Sequence, residues 1–335
     1  RTLYAGGTRV LQSTDRGDHW TVISPDLGDP PGPDRGRVTT GALTRLDESP
    51  LVRGMLAGGT EGGRLWLTTD HGTSWRRTDD GLPHDWVTCV TLSKWSPGRI
   101  YASFTGFRDD DETPYVYVSD DTGRTWRSIA ANLPTESVFA VREDPVDPRV
   151  LYLGTDLGVY LSRDRGAHWE SLSATLPSTA VLGLTVQAQA GDLVIGTYGR
   201  GAWILDLTPI HDRTAVSVAD PLYVYPIRGA TADWFGWEAL PGERRGRNVA
   251  RMQVESLSAG MASLTVRDSA GRAVRHWQAA LTPGVNTVTW DLQVERGPGA
   301  LGEAAAGSYA LDVSLGTARA ARGFTVLADP DRPRR

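Results

Sequence analysis

Short runs of alternating apolar and polar residues, separated by Gly, Pro, Asn and Asp, recur along the chain and predict strands of four to seven residues. Arg64-Leu65-Trp66-Leu67, Val116-Tyr117-Val118 and Val159-Tyr160-Leu161 alternate in this way. Val87-Thr88-Cys89-Val90-Thr91-Leu92 is an apolar run of the kind a buried strand needs. From about residue 210 the spacing of the runs changes. Period-2 strands then return at Arg251-Met252-Gln253-Val254-Glu255-Ser256-Leu257, 262–267, 273–277, 285–292, 308–313 and 321–327.

The first 210 residues are repetitive. An eight-residue pattern, Ser/Thr-x-Asp-x-Gly-x-x-Trp, occurs four times. Its fixed residues are Asp15, Gly17 and Trp20; Asp70, Gly72 and Trp75; Asp121, Gly123 and Trp126; and Asp164, Gly166 and Trp169. The aspartates stand 55, 51 and 43 residues apart. Each copy follows two short strands and precedes a third, and a Leu-Pro turn (Leu82-Pro83, Leu133-Pro134, Leu176-Pro177) closes three of the units. Four short strands in about 45–50 residues is the arithmetic of a β-propeller blade. The first unit lacks its opening strand, and the fifth, from Val181 to Leu207, lacks the motif. The count is three full blades and two partial ones. The two partial units hold more strands than one blade, so further blades of the same polypeptide are expected upstream of Arg1.

The motif resembles the Asp-box, or bacterial neuraminidase, repeat, and the pattern over 1–210 is similar to sortilin-like and xyloglucanase-like Asp-box propellers. The box itself carries a structural expectation. Its Asp accepts hydrogen bonds within the turn, its Gly supplies a positive φ, and its Trp packs. Residues 211–247 read as a strap or linker, 248–328 as a β-sandwich, and 329–335 as a tail. The sandwich resembles the Ig-like module common in bacterial secreted β-proteins, by architecture alone, because it holds no cysteine pair. The stretch from Gly297 to Gly307 reads as a flexible loop. The fold expectation is therefore all-β: a propeller segment followed by a sandwich.

In propellers of the resembling family, chemistry occupies the face opposite the boxes. Mapped onto this chain, that face carries Glu61, the blade connection His84-Asp85-Trp86, the acidic loop 107–115, Glu136, Asp156, Tyr198 and Arg200. Asp109, Asp110, Asp111 and Asp156 are the catalytic candidates, because a glycosidase needs two carboxylates flanking its scissile bond. Glu61, Asp85, Trp86, Tyr115, Tyr198 and Arg200 are the ligand-binding candidates, Trp86 and Tyr115 as rings on which a sugar could stack. No cofactor is implied, apart from calcium at the oxygen-rich run 109–112. The Arg-Ile-Pro signature of sialidases is missing, and no residue-level match carries over the catalytic pair of the xyloglucanases.

Composition narrows the function classes further. A net charge of -5 argues against nucleic acid as a partner. One cysteine, Cys89, excludes a disulfide framework and a multi-cysteine zinc site. No apolar run reaches the roughly 18 residues of a membrane span. The expectation is an extracytoplasmic or secreted module that binds a glycan or peptide. The alternative is a glycoside hydrolase whose remaining propeller lies upstream.

Overall fold

A computed structural model of the chain describes residues 2–28, 41–172, 176–212, 220–231, 249–297 and 300–328. They fall into two compact units, Arg1–Asp206 and Leu207–Arg335. The expected tail, 329–335, and the strap segments 213–219 and 232–247 lie outside the described residues.

Among the described residues, five antiparallel sheets make up the first unit, each with its strands in sequence order along the sheet, ascending or descending. The first holds β1 (Leu3–Gly6), β2 (Val10–Ser13) and β3 (Thr21–Val22). The second holds β4 (Leu43–Glu48), β5 (Leu56–Thr60), β6 (Leu65–Thr68) and β7 (Arg76–Arg77). In the third, β8 (Trp86–Leu92) and β9 (Ile100–Gly106) are followed by a 3-10 turn at Phe107–Asp109, β10 (Asp111–Ser119) and β11 (Arg127–Ser128). The fourth holds β12 (Val138–Glu143), β13 (Leu151–Thr155), β14 (Val159–Ser162) and β15 (Glu170–Ser171), and the fifth β16 (Val181–Gln187), β17 (Asp192–Thr197) and β18 (Ala202–Asp206). Three four-stranded sheets are thus flanked by two three-stranded ones, the succession that counting repeats predicts.

Successive sheets pack face to face, which explains the run of small and apolar residues in the second position of each full sheet. Every residue of β5, β9 and β13 is buried, because neighbouring sheets cover both faces. Met55, Leu65 and Leu67 meet Val87, Val90 and Phe104 in one interlayer, and Tyr101, Val116 and Val118 meet Val138, Val141 and Leu153 in the next. A fully buried side chain such as Phe104 contributes about 1.5–3 kcal/mol by this burial. Hydrogen bonds also cross between sheets. The indoles of Trp75, Trp126 and Trp169 donate to the carbonyls of Ile23, Thr78 and Ile129, each in the sheet before. The fourth strands, β7, β11 and β15, have two residues apiece and are exposed.

The leading strands share an irregularity. Register shifts fall between Leu43 and Arg45, Val87 and Cys89, Val138 and Ala140, and Val181 and Gly183, each at the start of its strand. A bulge there re-aims the extra residue, and in two sheets that residue is a threonine. Thr44 Oγ1 donates to the Val87 carbonyl (2.7 Å) and Thr88 Oγ1 to that of Val138 (2.6 Å), tying each sheet to the next near the loop face.

The second unit begins with a short helix, α1 (Thr208–Asp212). Its strands are β19 (Leu222–Val224), β20 (Ala230–Thr231), β21 (Ala250–Ser256), β22 (Gly260–Asp268), β23 (Ala273–Leu281), β24 (Gly284–Trp290), β25 (Gln293–Gly297), β26 (Ala300–Glu303), β27 (Gly307–Leu315) and β28 (Ala318–Leu327). The sheets β19-β21-β24 and β20-β28-β27-β22-β23 enclose one core of Met252, Val254, Leu264, Val266, Leu311 and Trp290. Part of the strap is a strand, since β19 pairs antiparallel with β21. The loop expected from Gly297 to Gly307 is corrected in the same way. Ala300–Glu303 pairs with Gln293–Gly297 as a two-stranded ribbon, because backbone pairing makes a ladder even where glycine and alanine read as a loop.

Candidate binding surface

Sequence order within the sheets sorts the loops between two ends of the strands. Turns from third to fourth strand lie at one end. Turns from second to third strand, and the entry to each leading strand, lie at the other. The eight-residue motifs occupy the first end and the candidate ligand residues the second.

At the motif end the aspartates are consumed by their own turns. Asp70 Oδ1 accepts the Ser74 N–H (2.9 Å) and the Thr68 hydroxyl (2.7 Å), and Oδ2 accepts the Ser74 hydroxyl (2.6 Å). Asp121 makes the same set with Thr125 and Ser119. In the other two copies histidine replaces the hydroxyl: His19 Nδ1 and His168 Nδ1 each lie 2.6 Å from Oδ2 of Asp15 and Asp164. The Ser74 hydroxyl and amide hold Asp70 down to about 2, and the His19 amide and ring do the same for Asp15. Asp121 is held well below the usual range, chiefly by Thr125. Burial pushes Asp164 the other way, but His168 and Ser162 outweigh it and its pKa is lowered. The residue before each Gly is also left-handed (Arg16, His71, Thr122, Arg165; φ 60–68°), so the turn needs two consecutive positive φ values.

The loop face is built differently. Glu61 follows β5, and its Oε1 takes a 2.6 Å ion pair from Arg108 Nη1, on the turn after β9. The Arg108 guanidinium also lies 4.2 Å from the centre of the Trp86 ring at the start of β8, a cation–π contact. Glu61, Arg108 and Trp86 therefore form one group spanning the second and third sheets, and Trp86 has one face covered. Asp109 and Asp110 project from the turn, both exposed, with Asp110 at φ 57°. Asp111 turns inward, its Oδ1 accepting the Thr113 N–H (2.9 Å) and Oδ2 the Tyr115 hydroxyl (2.7 Å). Tyr115 is consequently half-buried and tethered. Its pKa is raised by Asp111 first, and the negative charge of Asp85 adds to the effect.

Asp156, after β13, accepts the Ser137 N–H at 3.0 Å and is raised above its ordinary range by burial, reinforced by the charges of Glu112 and Glu136. Glu136 is itself buried, taking the Thr155 hydroxyl (2.5 Å) and the Tyr160 hydroxyl (3.0 Å). Burial and Glu136 together push Tyr160 up to about 12. Three carboxyls thus share one field: Glu112, Glu136 and Asp156. In the fifth sheet Tyr198 stands 75% exposed, and Arg200, also exposed, offers its carbonyl to the Trp203 indole (3.0 Å). Among the described residues no three of His, Cys, Asp and Glu are grouped so as to hold a metal ion.

Two residues of this face go unmarked in the sequence reading. Phe107 is 65% exposed and Leu157 54%, each in the loop between second and third strands. With Tyr198 they give three consecutive sheets a large apolar side chain in solvent at the same loop. The available signal was a large apolar residue one or two positions after a second strand, inside an otherwise polar turn.

No protein-family model matches the chain, and no curated protein matches it in sequence. Similar solved structures include the GH74 xyloglucanase of Xanthomonas campestris, at a TM-score of 0.48 and 19% identity over 61% of this chain and 34% of that one. The GH74 enzyme of Niastella koreensis is similar at 0.47 and 11%, over 94% and 50%. PorZ, a bacterial surface component of the type-IX secretion system of Porphyromonas gingivalis, is similar at 0.42 and 15%, over 98% and 43%. The chain spans a third to a half of the length of these proteins. The blade arrangement described above rests on the pairing and packing of the sheets themselves.

Proposed function

We propose that the chain is a binding module working outside the cytoplasm, whose loop face takes a glycan or an extended peptide. The observation that carries this reading is the exposure of Phe107, Leu157 and Tyr198 on the loops of three consecutive sheets, beside the acids at 109–112 and 156. Large apolar side chains held in water are costly, and a ligand that covers them recovers that cost. In this reading the repeated turns are Asp boxes of the sortilin-like and xyloglucanase-like kind, with a purely architectural role. The second unit is an Ig-like module, and no cofactor is invoked. The test is a glycan and peptide panel, followed by a triple Phe107→Ala, Leu157→Ala, Tyr198→Ala variant against any ligand found. Affinity should fall at least about tenfold, the scale of one lost anchor, with unfolding unchanged. A silent panel, or a triple variant that binds as well as the parent, sinks the reading.

A second reading, a glycoside hydrolase completed by further propeller, draws on Asp156. A carboxyl whose pKa is raised by burial and by neighbouring carboxyls is the kind of group that is tuned toward a general acid. Release of reducing sugar from xyloglucan or β-glucan, abolished by Asp156→Asn, would favour it.

A further inference from the structure

The four motif tryptophans are equivalent in sequence and unequal in space. Trp75, Trp126 and Trp169 reach back to a carbonyl of the preceding sheet, whereas the Trp20 indole turns onto the Gly17 carbonyl of its own loop (3.0 Å) and is 42% exposed. The same break in symmetry appears at two other positions. Leu3 has as its counterparts Leu56, Ile100 and Leu151, fixed by their pairing with the motif Ser or Thr. Those three are 1%, 1% and 0% exposed, and Leu3 is 42% exposed. A Cβ on Gly72, Gly123 or Gly166 would collide with Ile23, Thr78 or Ile129 of the sheet before, whereas one on Gly17 would meet only Leu3 and Trp20 at 3.8 Å. Finally, β5, β9, β13 and β17 each pair with a leading strand, while β1, in the same position, pairs among the described residues with β2 alone.

We propose that the face formed by Leu3, Gly17 and Trp20, with the open edge of β1, is a docking surface for a preceding four-stranded sheet of the same polypeptide. That sheet lays the carbonyl just after its last strand on the Trp20 indole, and the chain then supplies a leading strand to β1. The commitment to one polypeptide follows from connectivity. In all three complete instances the acceptor carbonyl precedes its tryptophan by 40 to 52 residues, and the chain runs from acceptor to leading strand to second strand. A second copy of this chain is a poorer occupant. Its last sheet ends, among the described residues, at the third strand β18 and has no fourth-strand turn carbonyl to offer.

The experiment compares residues 1–335 with the polypeptide as encoded, including whatever precedes Arg1. Hydroxyl-radical footprinting reports on each tryptophan, and amide exchange reports on β1. In 1–335, Trp20 should oxidise faster than Trp169, at a rate independent of protein concentration. In the encoded polypeptide Trp20 should fall to the Trp169 level, and the β1 amides should slow at least about tenfold, as edge amides do on joining a ladder. Three results would overturn the proposal. One is an encoded polypeptide with no strand-rich segment 40 to 52 residues before Trp20. Another is persistent Trp20 reactivity in it. The third is protection of Trp20 in 1–335 that grows with concentration, which would assign the face to a second copy.

Discussion

The Trp126 indole donates to the Thr78 carbonyl across 2.7 Å, from one sheet to the sheet before and 48 residues back along the chain. Thr78 is buried, so removing the donor leaves a carbonyl that water does not reach. Trp126→Phe should therefore cost about 1–3 kcal/mol, the penalty of an unsatisfied buried acceptor. Trp20→Phe, in the same chain, should cost less than about 0.5 kcal/mol, because its bond is local and exposed. Urea unfolding of the two variants checks the contrast. Equal losses would mean that the inter-sheet bond carries no weight.

Positive φ and close approach can be separated by two glycines. Gly123 sits at φ 78° with Thr78 where a Cβ would go, whereas Gly199 sits at φ 80° with open space around it. Gly199→Ala should cost about 1–2 kcal/mol, the left-handed penalty alone. Gly123→Ala adds overpacking of about 1–3 kcal/mol. Chemical denaturation should rank Gly123→Ala clearly below Gly199→Ala.

Acid should act first through the motif turns. Asp15 and Asp70, held down to about 2 in the fold, bind fewer protons than in the unfolded chain between that value and about 4. Their contribution is complete above the unfolded value and is lost as pH falls through about 2. Asp70→Asn should flatten the pH dependence of stability below about pH 4, the ordinary carboxylate range. A titration curve parallel to the parent would refute this.

Asp156 has the opposite sign. Its folded pKa is raised by burial, so the native state binds the extra proton and stability falls as pH rises through that window. Asp156→Asn keeps an oxygen for the Ser137 amide and removes a partly buried charge. It should leave stability at pH 7 unchanged or higher, and lose this part of the pH dependence. Marked destabilisation would show that the carboxylate is there for the fold.

Much of the first unit can be read from its residues, because each repeat carries its own turn chemistry and strand periodicity. Asp70, Gly72 and their counterparts mark the turns in any linear scan. The second reason for those glycines, the approach of the preceding sheet, has no linear signature, nor does the different destination of the Trp20 indole. On the loop face, rings such as Trp86 and Tyr115 stand out as sugar platforms by type. The structure caps the first with Arg108, 22 residues away, and tethers the second to Asp111 on its own strand, a contact that depends on how the strand turns inward rather than on residue type. The ribbon β25–β26 escaped notice because alanine and glycine carry little strand propensity, and pairing rather than propensity makes it.

The two-residue fourth strands have a consequence for solubility and for growth. A sheet edge that short gives a foreign strand almost nothing to template on, and β7, with two arginines, and β11, with one, place charge there as well. Sideways pairing into fibres is disfavoured at the fourth strands of these three sheets. Each added repeat of this kind brings another two-residue edge, so tandem duplication of the gene segment can lengthen the stack without adding a sticky fourth strand.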